Sequence, residues 1–350
     1  MKNISLITHG AHGGHGGIDK YTRNIIDVIS KTENKYYVNI YSKNKVFLNK
    51  KNVSTKFSKN FYFFLLLRNI INIIKSDLII VTHINLILYL FFLIFNKKKI
   101  ILFSYGLDIW GGKKNILYRV FIKKINYFIC MRRYTLNIQK KIYNLKPIKE
   151  YLLKNTLDSL FNNSQINVRK QIILTVARLD KNEKYKGIDE TLEAMALIKK
   201  INFKYYIIGD GDDRKRLFQK AKKLNVNKHV IFTGRISDQK RDKMFRLSKI
   251  CIMPGTDKTF DTYPYRFSFL EAASHGLHVI GSMPTKLELS EAKKYKNFNF
   301  VNAFNRNEIA RKIIQLLKKK NLFCANLRKD FSFDTFNLDL SIILKKILNN

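Results

Sequence analysis

The stretch TVARLDKNEKYKGIDETLEAM, Thr175–Met195, sets two cations around a strand-to-helix turn. An apolar β-branched run ends just before Arg178, and Lys186-Gly187 stand eight residues on, immediately ahead of a segment with helical period. In doubly wound sheets, ligands gather where strand carboxyl ends feed helix N-termini, which attract phosphate. A guanidinium grips phosphate oxygens bidentately and an ammonium adds a mobile point charge, so the pair suits a diphosphate. Downstream, RFSFLEAASHGLHVIGS, Arg266–Ser282, carries Glu271 on a helix that ends at Gly276 and leads into a strand. A carboxylate so placed accepts two hydroxyls of a ribose.

Outward from these stretches, short β-branched or aromatic runs alternate with segments of helical period. The second half reads as strands IILTVARL, YYIIGDG, VIFTGR, ICIMPG, HVIGS and FNFVN, and the first half as NISLITH, YYVNIYS, LIIVTH, KIILFSYG and YFICM. This alternation is the signature of βα units around parallel sheets. The fold class expected is α/β, with two Rossmann-like domains at residues 1–160 and 161–350. The changeover falls in the polar KNTLDSLFNNSQINVRK, residues 154–170, and the last helix is expected to pack back on the first domain. A chain of 350 residues suits two such domains.

Composition narrows the partners. The net charge is +40 with 46% hydrophobic residues, so the chain can fill packed cores while presenting a surface that seeks polyanions. Nucleic acid, anionic lipid and phosphorylated metabolites all qualify, and compositional drift toward Lys, Asn and Ile accounts for the excess equally well. No nucleic-acid-binding motif is visible, and the lysines are dispersed rather than interleaved with stacking aromatics. The three cysteines, Cys130, Cys251 and Cys324, offer neither a disulfide framework nor a zinc spacing, which fits a reducing cytosol. The opening apolar run is too short for a signal peptide, so a cytoplasmic location is expected. Two apolar segments, FYFFLLLRNIINII (61–74) and INLILYLFFLIFNKKK (84–99), fall short of a membrane span. They are either ordinary core helices or helices resting on an anionic membrane surface.

The N-terminal loop THGAHGGHGG, Thr8–Gly17, follows a strand and precedes a helix. It lacks the G-x-G-x-x-G register, and YYVNIYSKN ends in Ser42 and Lys43 rather than an acid, which disfavours a nicotinamide dehydrogenase. Three histidines on a glycine loop have no assured convergence or second shell, so no metal is expected there. The glycines Gly16 and Gly17 are the functional candidates, because backbone approaches a diphosphate only where side chains are missing. His15 is left as a hydrogen-bonding group on the acceptor side. YGLDIWGGKK (105–114) has the wrong register for a P-loop. The Asp-x-Asp of GDGDD (209–213) reads as a divalent-cation site or, preferably, as a tight turn before a helix N-terminus.

Taken in order, these motifs resemble a glycosyltransferase of the GT-B fold, and within it family 4, over nearly the whole chain. GGIDKYTRNI resembles the family's glycine loop and first helix, SYGLDIW its His-Gly-x-Asp/Glu segment, and CMRRYT its Val-Ser-x-x-Thr stretch. LLKNTLDSLF is similar to its linker, ARLDKNEKYKGID carries the Arg…Lys-Gly pair, and FSFLEAASHGLHVIGS matches its Leu-Glu-Ala segment. The resemblance implies two Rossmann-like domains facing across a cleft and a nucleotide-sugar donor. Arg178 and Lys186 would act on the donor diphosphate, Glu271 on the ribose, and Gly16-Gly17 near donor and acceptor. It implies transfer of a hexose with retention and no metal or other cofactor. The acceptor would be a saccharide or lipid-linked saccharide of cell-surface polysaccharide or lipopolysaccharide synthesis, met at the cytoplasmic face of the membrane. Two departures stand out. Tyr263, Pro264 and Arg266 replace the family's Glu-Gly-Phe-Gly, leaving Arg266 as a phosphate contact and Asp261 or Tyr263 as sugar contacts. Tyr105 stands where a histidine is usual, three residues before Asp108, and a phenol is no proton shuttle near neutral pH. These departures motivate the alternatives of a weak or inactive homologue acting as a partner subunit and, from charge alone, a basic nucleic-acid-binding protein.

Overall fold

The apolar runs form parallel strands, and helices fill the intervals between them. The structure, a computed structural model of the chain, describes all residues except 12–15, 32–34, 94–97, 107–115, 146–148, 158–168, 257–262 and 350. It divides into two compact units, residues 1–156 with 333–350, and residues 157–332. The boundary expected at 160/161 lies outside the described residues.

The first unit holds β1 (Lys2–Thr8), β2 (Tyr36–Ser42), β3 (Val53–Phe57), β4 (Leu78–Val81), β5 (Ile100–Ser104), β6 (Tyr127–Cys130) and β7 (Lys149–Leu152). They pair in the order β3-β2-β1-β4-β5-β6-β7, all parallel. Central strands β4, β5 and β6 are buried along their whole length, as expected of a parallel sheet covered on both faces. The edge strands β3 and β7 were not expected from the sequence. Both lack a buried run, so no apolar period marked them. The apolar segment at 61–74 is not one helix: it breaks into Tyr62–Arg68 and Ile70–Lys75 at Asn69, whose side chain bonds the Leu65 carbonyl at 2.7 Å and takes the Lys56 ammonium at 2.6 Å. The segment at 84 winds as a tight 3-10 helix, Ile84–Leu93, kinked at Leu90. Among the described residues no helix is long and apolar enough to cross a membrane.

The last helix, Phe333–Asn349, belongs to this first unit and lies on the helix Gly17–Lys31. The Phe336 ring stands edge-on to Tyr21 at 5.4 Å, and the Lys31 ammonium sits 4.3 Å from the Phe333 ring centre.

The second unit holds β8 (Ile172–Val176), β9 (Lys204–Ile208), β10 (Val230–Gly234), β11 (Ile250–Met253), β12 (His278–Ser282) and β13 (Phe298–Val301). Their order is β10-β9-β8-β11-β12-β13, again parallel. Apolar clusters cover both faces: Leu192, Met195 and Ile313 are among the side chains on one, and Phe245, Phe269 and Phe331 on the other.

Phe336 is 3% exposed, so Phe336→Ala removes a packed aromatic and is expected to lower stability by about 3 kcal/mol. Urea denaturation followed by circular dichroism checks this; an unchanged midpoint would show that the terminal helix does not stabilise the first unit.

Candidate functional site

Strand order in each sheet reverses at one place: between β8 and β11 in the second unit, and between β1 and β4 in the first. At such a switch point the chain leaves neighbouring carboxyl ends in opposite directions and opens a crevice for ligand.

In the second unit, β8 leads straight to Arg178, and residues Lys181–Lys186 form a 3-10 turn capped by Asp180, whose side chain accepts from the Asn182 N–H at 2.9 Å. The turn ends at Gly187, with φ +75°, before the helix Ile188–Leu197. A Cβ at Gly187 would stand 1.8 Å from the Pro254 carbonyl oxygen, so the turn presses directly on the loop that leaves β11. The Thr256 N–H donates to the Tyr185 carbonyl at 2.7 Å and completes that junction. In this way the Lys186 turn is fixed to the second strand of the switch point.

Both cations of the turn converge on Glu183. Arg178 Nε donates to Glu183 Oε2 at 3.1 Å and its terminal nitrogen to Oε1, while Lys186 Nζ donates to Oε2 at 2.5 Å and to the Arg178 carbonyl at 3.1 Å. The Glu183 side chain is 10% exposed and that of Arg178 is 56% exposed, so the carboxylate lies beneath and the guanidinium reaches outward. Burial pushes the Glu183 carboxyl up, but the hydrogen bonds and charges of Arg178 and Lys186 outweigh it and hold it below its ordinary value. The same hydrogen bond raises the Arg178 pKa against its own desolvation.

The acidic turn after β9 supports this arrangement. Asp212 Oδ1 accepts from the Lys181 N–H at 2.9 Å, and Asp210 Oδ1 from the Gly211 N–H at 3.0 Å. Asp213 takes Arg216 at 2.6 and 2.7 Å, and Arg216 reaches on to both oxygens of Asp189 at 2.7 and 2.6 Å. These carboxylates bind backbone and arginine, and among the described residues no group of three or more metal-ligating side chains forms.

Glu271 lies on the helix Phe267–Ser274 and is buried, with Oε2 3.5 Å from Arg241 Nε. Arg266 precedes that helix; its Nε donates to the Tyr263 carbonyl at 3.2 Å and its guanidinium lies 4.3 Å from the Phe269 ring centre. Tyr263 is edge-on to Tyr265 at 5.6 Å. Asp261 lies outside the described residues.

In the first unit, Gly16 takes φ +66° and a Cβ there would meet nothing within 4 Å, so backbone conformation rather than crowding calls for glycine. Gly17 opens the helix, and both glycines are exposed. Arg23 ties the loop's near end by donating to the Ala11 carbonyl at 2.7 Å. His15 and Asp108 lie outside the described residues. Tyr105 packs edge-on against Tyr21 at 5.6 Å.

Three further residues went unrecognised in the sequence: Glu183, Arg241 and His83. Thr8-His9 and Thr82-His83 end two adjacent strands; Thr82 donates to Thr8 at 2.8 Å and the two imidazoles meet edge-on at 5.1 Å. His83 Nδ1 accepts the Asn85 N–H at 3.1 Å. The repeated Thr-His at the ends of two apolar runs was the available signal.

Residues 158–333 match the family described as glycosyl transferases group 1, and the chain belongs to that family. Solved structures agree on the fold. Sucrose-phosphate synthase from Thermosynechococcus elongatus superposes with a TM-score of 0.74 at 15% identity, covering 100% of both chains. Anabaena HepE in complex with UDP and glucose gives 0.73 at 13% identity over 99% of each chain. The apo lipopolysaccharide outer core galactosyltransferase WaaB gives 0.65 at 16% identity, covering 98% of this chain and 99% of that one. No curated protein sequence matches the chain. The fold is thus the α/β GT-B class of two Rossmann-like parallel-sheet domains, and the chain is a glycosyltransferase.

Two substitutions check the architecture of the turn. Gly187→Ala adds a methyl where a carbonyl oxygen already stands and a left-handed backbone is required; a loss on the order of 3 kcal/mol is expected in equilibrium denaturation. Glu183→Gln removes a carboxylate whose folded pKa is depressed. Its stabilising contribution is therefore present above the ordinary carboxylate value and lost as pH falls through the folded value. The stability difference between native protein and Glu183→Gln should be about 1 kcal/mol at neutral pH, discounted for the exposure of Arg178, and should shrink on acidification. A difference that grows at acid pH would contradict the ion-pair assignment.

Proposed function

We propose that the chain moves a hexose from a nucleotide-sugar to a saccharide or lipid-linked saccharide acceptor, with retention, in cell-surface polysaccharide or lipopolysaccharide synthesis at the cytoplasmic face of the membrane. The observation that carries this reading is the joint placement of Arg178 and Lys186 at the carboxyl end of β8, beside the switch point. The fold neighbours lend support: HepE is solved with UDP and with UDP-glucose, and WaaB is a lipopolysaccharide galactosyltransferase.

Negative charge grows on the leaving diphosphate as the glycosidic bond loosens. Arg178, with its guanidinium turned to solvent, and Lys186 beside it neutralise that charge. Preorganised cations of this kind stabilise the transition state without reorganising when the bond breaks. The departing diphosphate itself helps take the acceptor proton on the same face, so no protein nucleophile is required and positioning carries much of the rate. Glu271 receives the ribose, Arg266 reaches a phosphate oxygen, and Tyr263 or Asp261 contacts the sugar. On the first unit, Gly16 and Gly17 offer bare backbone to the donor phosphate. Tyr105, Asp108 and His15 offer hydrogen bonds to sugar hydroxyls.

Incubation of the purified protein with a panel of UDP-, GDP- and ADP-sugars should release nucleoside diphosphate from one donor. Arg178→Ala should lower that release by about a hundredfold, corresponding to about 3 kcal/mol of lost transition-state stabilisation. Full turnover in Arg178→Ala would overturn the assignment. EDTA should leave the rate unchanged, since the reading needs no divalent cation; loss of activity restored by magnesium or manganese would refute that part.

A further inference from the structure

We propose that the exposed aromatic rim of the first unit is a docking surface for an anionic lipid bilayer, a proposal that deepens the reading of a membrane-borne acceptor. Four phenylalanine rings lie side by side in solvent across two chain segments. Phe61, Phe63 and Phe64 come from the start of the helix Tyr62–Arg68 and the residue before it, and Phe91 from the 3-10 helix Ile84–Leu93. They are 66%, 37%, 64% and 43% exposed, in that order. Ring centres are 6.4 Å apart for Phe61 and Phe64, 5.8 Å for Phe63 and Phe64, and 6.0 Å for Phe63 and Phe91. Isolated apolar side chains on a surface are ordinary, but a contiguous aromatic patch marks an interaction site.

Charge selects the occupant. Residues 43–76 contain eight lysines and arginines and no acidic residue. Of these, Lys56, Lys59 and Arg68, close in sequence to Phe61–Phe64, are exposed. Lys43 donates to the Tyr89 hydroxyl at 3.1 Å, and the Tyr89 ring lies 6.4 Å from that of Phe63. A second copy of the chain would bring this patch against an identical cationic one, so self-association is opposed. Aromatic rings sink to the headgroup level while cations meet anionic phosphates, and a bilayer offers both at once. The position fits the acceptor as well. Tyr62, between Phe61 and Phe63 in the chain, is buried, and its hydroxyl proton is shared between the Tyr41 carbonyl at 3.1 Å and the Thr8 carbonyl at 3.3 Å. The rim therefore adjoins the carboxyl ends of β1 and β2, and the glycine loop follows β1 in the chain.

Cosedimentation with phosphatidylglycerol-containing vesicles, set against pure phosphatidylcholine vesicles, tests the proposal. The native protein should bind the anionic vesicles, bind neutral ones much more weakly, and release as salt rises. The double variant Phe61→Ser/Phe64→Ser, both at exposed positions, should weaken binding by about tenfold, and Lys59→Gln/Arg68→Gln by about tenfold. Nucleoside diphosphate release in solution should be unchanged in both variants. Absence of binding by the native protein, or equal binding by Phe61→Ser/Phe64→Ser, would overturn the proposal, as would a vesicle-independent dimer or a complex with an acidic peptide that this variant abolishes. Vesicle binding without turnover of any nucleotide-sugar would leave the docking surface standing and remove the glycosyl-transfer reading instead.

Discussion

All strands of each sheet run the same way, and the site follows from that constraint. Parallel pairing places every carboxyl end on one edge, and β8 and β11 become neighbours there although β9 and β10 intervene in sequence. The chain leaving β8 turns through Lys181–Lys186, and the chain leaving β11 passes beneath it at Pro254. Contact between the two is so close that only a residue without Cβ, in a left-handed conformation, fits at position 187. The position of Lys186 is thus a consequence of strand order, transmitted through one backbone contact.

Electrostatics of the turn follow from that crowding. A guanidinium and an ammonium held on the same few residues repel one another, by about 4 kcal/mol for unit charges 4 Å apart near a protein surface. Glu183 relieves this by accepting from both, and Asp180, 3.8 Å from Arg178 Nε, adds a second, weaker attraction. The arrangement leaves the Arg178 side chain 56% exposed at the surface, while Lys186 lies below it at 16%. In the proposed donor complex the diphosphate and Glu183 compete for the same two cations. Glu183 therefore trades affinity for the donor against readiness of the unliganded site.

Much of this was legible because the central strands are buried on both faces and so appear as apolar runs: IIL in β8, ICIM in β11 and LIIV in β4. Strands β3 and β7 were illegible for the converse reason. VSTKF and KEYL sit at sheet edges, largely in solvent, and no core pattern selects their residues. The eight-residue interval between Arg178 and Lys186 was readable as a pair, but the residue that joins them was not. Glu183 is one residue of KNEKYK, a stretch rich in charge, and its 10% side-chain exposure and its bonds to both cations are properties of the folded turn. Arg241 was hidden similarly, since its partnership with Glu271 links helices thirty residues apart in the chain. For His83 the repeated Thr-His was visible in the sequence, but its pairing with His9 depends on β1 lying beside β4, which sequence order alone does not supply.

The same directional constraint gives meaning to the uneven surface of the first unit. Its carboxyl edge carries the exposed glycines Gly16 and Gly17, the paired imidazoles of His9 and His83, and the hydroxyl of Tyr62 that bonds the ends of β1 and β2. A net charge of +40 dispersed along the chain attracts an anionic surface but does not choose which face meets it. The rings of Phe61, Phe63, Phe64 and Phe91 are gathered rather than dispersed, and they gather beside this edge. On the proposed bilayer contact, long-range attraction and local apolar contact would have separate roles: the lysines would raise the frequency of encounter, and the aromatic rim would set the orientation. In that proposed orientation the edge that carries Gly16 and Gly17 would face the plane in which a lipid-linked acceptor presents its sugar.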